Sequence, residues 1–422
     1  MNSVLLVNAN SCTLAKIYPI GLDYLSSILK KEGYLVEGLD LAVIKKSSWN
    51  HVLREKISQN NYLAIGISIR NLNDEIPGGK NYLPEIFQLI IFIRSLITQS
   101  KSRSQIVLGG SGFSLMPQVI LEETQADYGV VGEGEESLIT LLKNLENGIK
   151  DLPKLWHKST DISSKIYQRG SWGNFHHYFK NSASGNLQTK RGCPMNCLYC
   201  EYPNIERKKF RFRKPELVAD EFLQLERLGF PRIYIIDATF NNPLSQAKEI
   251  LRAFKRAKTK KPWTAFLNPR FLDQEFFELV KETNGEMPLK FTIESGSDLI
   301  LQNLQKSFRQ SDIKRAAAFC RKNKIAFSFT MLFGGPGETK GTVAETCQLI
   351  KELSPSYVSS SIGIFIHPRT PLAKMTKGTL WKNEKDFFDP ILYPCQNEQI
   401  IEWVKNDLGH SSIKYQIYRG QE

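Results

Sequence analysis

Along the first 150 residues, short apolar runs alternate with longer stretches in which apolar positions recur on one helical face. The runs at 4–8, 35–39, 64–69, 106–108 and 128–131 are strand-sized. The stretches at 21–33, 86–97 and 137–145 read as amphipathic helices, the first with Leu22, Leu25, Ile28 and Leu29 on one side. Five strands separated by helices predict a flavodoxin-like, doubly wound parallel sheet over residues 1–150. Such α/β sheets bind ligands at the carboxyl ends of their strands. Residues 151–186 break the rhythm, with Trp156, Trp172, His176, His177 and Tyr178 scattered among Ser, Lys and Gly, and read as a linker. A second series of strands follows at 187–191, 232–236, 263–267, 289–293, 327–333 and 357–366, with helices such as 215–228 and 312–323 between them. Six βα units predict a partial TIM barrel, (β/α)6, over residues 187–372, with its chemistry at the strand carboxyl ends. The last stretch, 373–422, carries Trp381, Phe387, Phe388 and Tyr393 and reads as a short tail capping the open side of that barrel.

Composition narrows this picture. The chain has 422 residues, 41% of them hydrophobic, enough for two or three packed domains. No apolar run is long enough to span a bilayer as a helix. The start, Met-Asn-Ser-Val-Leu-Leu-Val, lacks a charged segment before its apolar run, so no signal peptide is expected. Seven cysteines, scattered apart from one cluster, do not form a disulfide framework and suit a reducing cytoplasm. Net charge is +13, with basic residues crowded at 207–214 and 255–261. No recognition motif accompanies the charge, so nucleic acid is not the expected partner. A solvated face or a docking patch for an acidic electron donor fits better.

The densest chemistry lies in Thr-Lys-Arg-Gly-Cys193-Pro-Met-Asn-Cys197-Leu-Tyr199-Cys200. Three thiolates at Cys-x3-Cys-x2-Cys spacing can bind three irons of a [4Fe–4S] cluster and leave the fourth open to a small molecule. A structural zinc wants four closed ligands. The alternatives are three unliganded cysteines, or a zinc completed by a distant histidine.

This motif, with a strand before it, resembles that of the radical S-adenosylmethionine superfamily. The resemblance implies metal ligation by Cys193, Cys197 and Cys200 and chelation of the open iron by the methionine amine and carboxylate. Other segments extend it. In Thr-Ile-Glu294-Ser295-Gly-Ser-Asp298, Glu294 and Ser295 are candidates to contact S-adenosylmethionine, against the alternative of a capped helix start. In Phe-Gly334-Gly335-Pro-Gly-Glu338, Gly334 and Gly335 offer amides to the same ligand. Where many relatives carry a Gly-Gly-Glu turn, this chain has Asp237-Ala-Thr-Phe-Asn241, with Asp237 or Thr239 as substitutes for amine binding.

The first domain resembles the cobalamin (B12)-binding domain fused to such barrels. The likeness rests on Ile-Gly-Ile-Ser68-Ile-Arg70-Asn71, Leu-Gly109-Gly110-Ser111-Gly112-Phe-Ser114 and Val-Gly-Glu133-Gly-Glu135. It implies that Ser68, the Gly109–Gly112 loop and Glu133 border the nucleotide tail of the corrin; the plainer alternative is a flavodoxin-like domain with ordinary turns. No Asp-x-His-x-x-Gly loop occurs, so cobalamin bound without a histidine ligand is expected. The Ser-Ile-Arg-Asn run is similar to that of the tryptophan 2-methyltransferase-like branch. It puts Arg70, which cannot donate a lone pair, near the corrin's lower face, or else in a surface ion pair with Asp74 or Glu75. Together these likenesses imply a cobalamin-dependent radical enzyme, a methyltransferase acting on an unactivated carbon or phosphorus of a small molecule or peptide, fed by a donor such as flavodoxin or ferredoxin. A non-methylating rearrangement or ring formation, and RNA modification, are the rival activities. A binding protein without turnover is the rival class.

Overall fold

A computed structural model describes residues 2–9, 17–173, 176–180, 184–283, 287–409 and 415–418. Its chain divides into two compact units. One takes residues 1–74, 80–183 and 383–389, the other residues 75–79, 184–382 and 390–422.

The first unit is built on six parallel strands: β1 (Ser3–Asn8), β2 (Leu35–Asp40), β3 (Ala64–Ser68), β4 (Gln105–Gly109), β5 (Tyr128–Val130) and β6 (Leu155–Trp156). Their order is β2-β1-β3-β4-β5-β6, the flavodoxin-like order with one strand added. β1 and β3 are covered on both faces, which is why they read as unbroken apolar runs instead of alternating. The helix Leu83–Gln99 buries Leu83, Ile86, Leu89, Ile90, Ile93, Leu96 and Ile97, the spacing of one helical face.

The segment read as a linker is part of this unit. It supplies β6, and Arg169 donates from Nε to Asp23 at 2.7 Å with both side chains fully buried. The amides of Gly170 and Trp172 also donate to Asp23. Tyr167 stacks on Tyr24 with ring centres 3.7 Å apart, and the Trp172 indole donates to the Leu6 carbonyl. Aromatic and small polar residues here are not a spacer composition; they fill the edge of a sheet.

The second unit holds seven parallel strands in the order β15-β14-β13-β12-β11-β10-β7. They are β7 (Gly185–Leu187), β10 (Ile233–Ile235), β11 (Trp263–Leu267), β12 (Leu289–Glu294), β13 (Phe327–Phe333), β14 (Tyr357–Ile362) and β15 (Tyr415–Tyr418). A two-stranded antiparallel ribbon, β8 (Lys190–Arg191) with β9 (Arg211–Phe212), flanks the cysteine loop. The six barrel strands expected from the sequence are present, the first split by a break between β7 and β8. The tail contributes a strand: β15 pairs in parallel with β14 and extends the sheet. The helix Leu244–Ala257 buries Ala247, Ile250, Leu251, Ala253 and Phe254 and ends in basic residues. There Lys255 pairs with Glu282 and Arg256 with Glu216, so this basic stretch is a solvated helix end. In the other basic stretch, Arg213 is buried against Glu221 at 2.6 Å. No described helix is long and apolar enough to cross a membrane.

Candidate functional site

In the second unit, the loop that follows β8 carries Cys193, Cys197 and Cys200 at the carboxyl end of the sheet's first strand region. Gly192 begins it at φ +93°, and a Cβ there would lie 2.2 Å from the Lys209 carbonyl oxygen, so the turn needs glycine. Neighbouring backbone fixes the rest. The Cys193 amide donates to the Arg207 carbonyl, the Leu198 amide to the Leu304 carbonyl, and the Leu372 amide to the Leu198 carbonyl. The strand region before the loop is pinned by Asp237, 1% exposed, which accepts from the Thr189 amide at 2.8 Å and sits 3.3 Å from the Lys190 ammonium. Lys190 also donates to the Phe240 carbonyl, and burial lowers its pKa despite the Asp237 charge beside it. Both Asp237 oxygens are therefore committed to anchoring the cysteine strand.

Cys193 is buried, and Cys197 and Cys200 are half-buried. Burial, first of all, raises all three thiol pKa values, Cys200 to about 12. Bare thiols here keep their protons at neutral pH, and metal binding must displace them. Among the described residues, only Glu75, Glu201 and His367 bring three metal-ligating atoms within 4.8 Å of one another. The three cysteine sulfurs do not all lie within that distance of one another. A tetrahedral zinc at about 2.3 Å from sulfur would draw its thiolates to about 3.8 Å from each other. Three cysteines in one loop, with no fourth beside them, fit the corners of an iron–sulfur cube with one iron left open.

Glu294 ends β12 at φ +58°, where the register against β13 shifts between Thr292 and Glu294. A left-handed, non-glycine residue at a bulge marks a position the surrounding structure has forced. Its carboxylate accepts from the Tyr199 hydroxyl at 2.8 Å and lies 2.9 Å from the Lys306 ammonium. Tyr199 is the aromatic residue inside the cysteine motif, so Glu294 joins β12 to the cysteine loop. Burial opposes charge on Lys306, but Glu294 and Cys197 beside it outweigh burial and hold its pKa above the ordinary value. Burial pushes the Tyr199 hydroxyl well up, and the Glu294 charge adds to this.

Ser295 turns away from this cluster. Its hydroxyl meets the Thr346 hydroxyl at 3.0 Å and receives the Ser297 amide, tying β12 to the helix Lys340–Leu353. Gly334, at φ +90°, donates its amide to Glu338, and a Cβ there would lie 2.5 Å from Cys395 Sγ. Gly335 packs against Leu304 and Ile364. Glu201, which follows Cys200, faces His367 at 3.4 Å and has its pKa raised by burial, partly offset by His367. Sequence reasoning missed Lys306, Glu201 and His367. The signal for the last two was position alone, directly after the third cysteine and after β14; Lys306 lies outside any strand end.

In the first unit, the Gly109–Gly112 loop folds onto the backbone at Ile69 and Arg70. Gly110 sits at φ +101°, and a Cβ on it would lie 2.4 Å from the Ile69 oxygen. The Gly112 amide and the Ser111 hydroxyl both donate to the Arg70 carbonyl, at 2.9 Å and 2.8 Å. Ser114 then donates to the Gly110 carbonyl and accepts from the Gly132 amide, coupling this loop to the next. Glu133 accepts from the Thr160 amide, facing the segment after β6. Ser68 is half-buried at the end of β3, and its carbonyl accepts from the Ala9 amide. Asp40, at the end of β2, accepts from Asn8 at 2.8 Å and Tyr178 at 2.7 Å. Burial raises the Asp40 pKa against those bonds. The Arg70 charge lies close enough to Tyr178 to work against the burial that raises its hydroxyl pKa. The expected site residues thus fall into two groups, one at the strand ends of each unit.

The family model described as the Radical SAM superfamily matches residues 187–350, and the B12 binding domain model matches residues 9–142. Tryptophan 2-C-methyltransferase of Streptomyces laurentii is 22% identical over 88% of this chain and 74% of its own length. Cytidylyl-2-hydroxyethylphosphonate methyltransferase of Streptomyces wedmorensis is 24% identical over 68% of this chain and 63% of its own length. Among solved structures, the radical S-adenosylmethionine methyltransferase TsrM from Kitasatospora setae, with cobalamin and a [4Fe–4S] cluster bound, superposes with a TM-score of 0.81. It is 24% identical and covers 90% of this chain and 79% of its own.

Proposed function

We propose, for a chain that belongs to the B12-binding radical S-adenosylmethionine enzymes through residues 9–142 and 187–350, that it transfers a methyl group to carbon or phosphorus of a small molecule or peptide. The observation that carries this reading is one chain joining a B12-binding sheet to a loop of three cysteines at Cys-x3-Cys-x2-Cys spacing with no fourth beside them. When bound, the cluster would supply electrons and a chelating iron for S-adenosylmethionine, and cobalamin would carry the methyl group. Cys193, Cys197 and Cys200 would hold the cluster. Glu294 keeps acceptor capacity beyond its two partners and would take a hydrogen bond from the ribose or ammonium of the cofactor. Gly110 would let the loop close onto the Ile69 backbone and so shape the strand ends that border the corrin tail, with Ser68 at the end of the neighbouring strand. Asp237 and Ser295 support the loop and strand rather than touch ligand.

Relatives of this chain carry the words tryptophan, hydroxyethylphosphonate and methyltransferase in their names, and TsrM has also been solved with tryptophan and an S-adenosylmethionine analogue. These support methylation of a small molecule over rearrangement. The reading includes a reducing, cytoplasmic setting and a flavodoxin- or ferredoxin-type donor. The test is anaerobic reconstitution, with an ultraviolet–visible spectrum for corrin bands and mass spectrometry of candidate indole and phosphonate substrates. A product heavier by one CH2 is expected. Corrin binding with turnover but no mass gain would replace methylation by rearrangement.

A further inference from the structure

Lys306 places a buried ammonium against the cysteine loop, and no sequence motif accounts for it. Its side chain is 8% exposed, and Nζ lies 2.9 Å from Glu294. The same Nζ stands 5.8 Å from the ring centre of Tyr199 and 5.4 Å from that of Phe308. Burial raises the thiol pKa values of Cys193, Cys197 and Cys200, and the Lys306 charge lies close enough to work against it at all three.

The backbone aims it there. Helix Asp298–Asn303 ends just before Lys306, whose amide returns to the Leu301 carbonyl. Gln305 adopts φ +56°, and its side chain accepts from Asn196 at 2.9 Å. One residue earlier, the Leu304 carbonyl accepts from the Leu198 amide at 3.0 Å. Two successive residues of this turn therefore grip the cysteine loop, and the third delivers its charge to it. A lysine serving only to neutralise Glu294 would not need a turn docked on the loop.

Taking the cluster of the proposed function as given, we infer that Lys306 is a positioning and tuning residue whose ammonium, held against the cysteine loop, sets the reduction potential of the cluster. Three thiolates make the cluster anionic, and reduction adds one more negative charge. A fixed cation in a water-poor site stabilises the reduced form more than the oxidised form. Glu294 works in the opposite sense, since its carboxylate offsets part of that cation. The step is a one-electron transfer from an external low-potential reductant to the cluster. No bond to Lys306 forms or breaks.

The experiment is an electron paramagnetic resonance redox titration of the reconstituted full chain with dithionite and mediators, without S-adenosylmethionine. Iron content is measured on each sample. Lys306→Met should shift the one-electron equilibrium at least tenfold toward the oxidised cluster, about 59 mV more negative. Glu294→Gln should shift it the other way. Full iron with an unmoved potential in Lys306→Met overturns the inference, as does a loss of S-adenosylmethionine affinity with no change in potential. If Lys306→Met does not assemble its cluster, Glu294→Gln decides, and an unmoved potential there overturns the inference too. A wild-type chain that holds no iron–sulfur cluster would defeat the proposed function instead, which keeps the two failures apart.

Discussion

The strand ends of the two units solve the same problem by opposite means. In the first unit the loop over Ile69 and Arg70 is shaped by missing side chains: Gly110 has no room for a Cβ, and Gly112 is 3.0 Å from the Arg70 oxygen where its Cβ would stand. In the second unit the cysteine loop is shaped by buried charges, Lys190 with Asp237 and Lys306 with Glu294. A site made of glycine tolerates changes of charge and fails on added volume. A site made of buried ion pairs tolerates little loss of charge, because a lone buried ion is costly. The contrast matches the expected ligands: a bulky corrin tail needs a backbone shaped to receive it, whereas an anionic cluster and a sulfonium need fields.

Four substitutions sharpen or break that contrast. The largest effect is expected from changing Cys193, Cys197 and Cys200 together to Ala. Iron should fall to background and S-adenosylmethionine consumption should stop, whereas Cys320→Ala, Cys347→Ala and Cys395→Ser should each keep full iron. Cys12 lies outside the described residues. Next comes Asp237→Ala, which strands the Lys190 ammonium in a buried site. It should lower stability by about 3–5 kcal/mol in denaturant unfolding. A loss under 1 kcal/mol, roughly the value of an exposed pair, would remove charge as the organising element of that loop.

Glu294→Gln should weaken S-adenosylmethionine binding by about 1.5–3 kcal/mol, the range for a hydrogen bond to a charged group. Anaerobic calorimetry on the iron-replete protein reads it, and unchanged affinity would make Glu294 a partner of Tyr199 and Lys306 alone. The smallest effect is expected for Gly110→Ala, about 1–3 kcal/mol of backbone strain. It should nevertheless abolish corrin uptake followed by absorbance while leaving the iron content of the chain unchanged. Normal corrin uptake by this variant would refute the view that the first site depends on the close approach of this loop to the Ile69 backbone.

Much of this was legible in the sequence, for a physical reason. Interior parallel strands are covered on both faces, so β1 reads as an uninterrupted apolar run from Val4 to Val7. The cysteine spacing encodes its chemistry locally and needs no fold to be seen. What escaped was non-local. β6 is two residues long and β15 four, too short for any period to register. Their pairing depends on neighbours far along the chain. Asp237 reads as a strand-end ligand, yet both its oxygens turn back to Thr189 and Lys190, a choice made by residues 47 and 48 positions away. Lys306 is invisible to motif reasoning because a turn, rather than a strand end, carries it.

The interleaving of the two units bears on how such a protein can be inherited. Residues 383–389 belong with the first unit, where Phe388 packs its ring 5.3 Å from that of Phe87 and takes the Asn81 amide on its carbonyl. Residues 75–79, conversely, belong with the second. A gene cut after codon 183 would therefore release a first unit lacking one of its own packing elements and carrying a strip of the other's. Recombination at a single junction cannot exchange one unit whole, and a second half borrowed from a relative would have to supply the segment that carries Phe388.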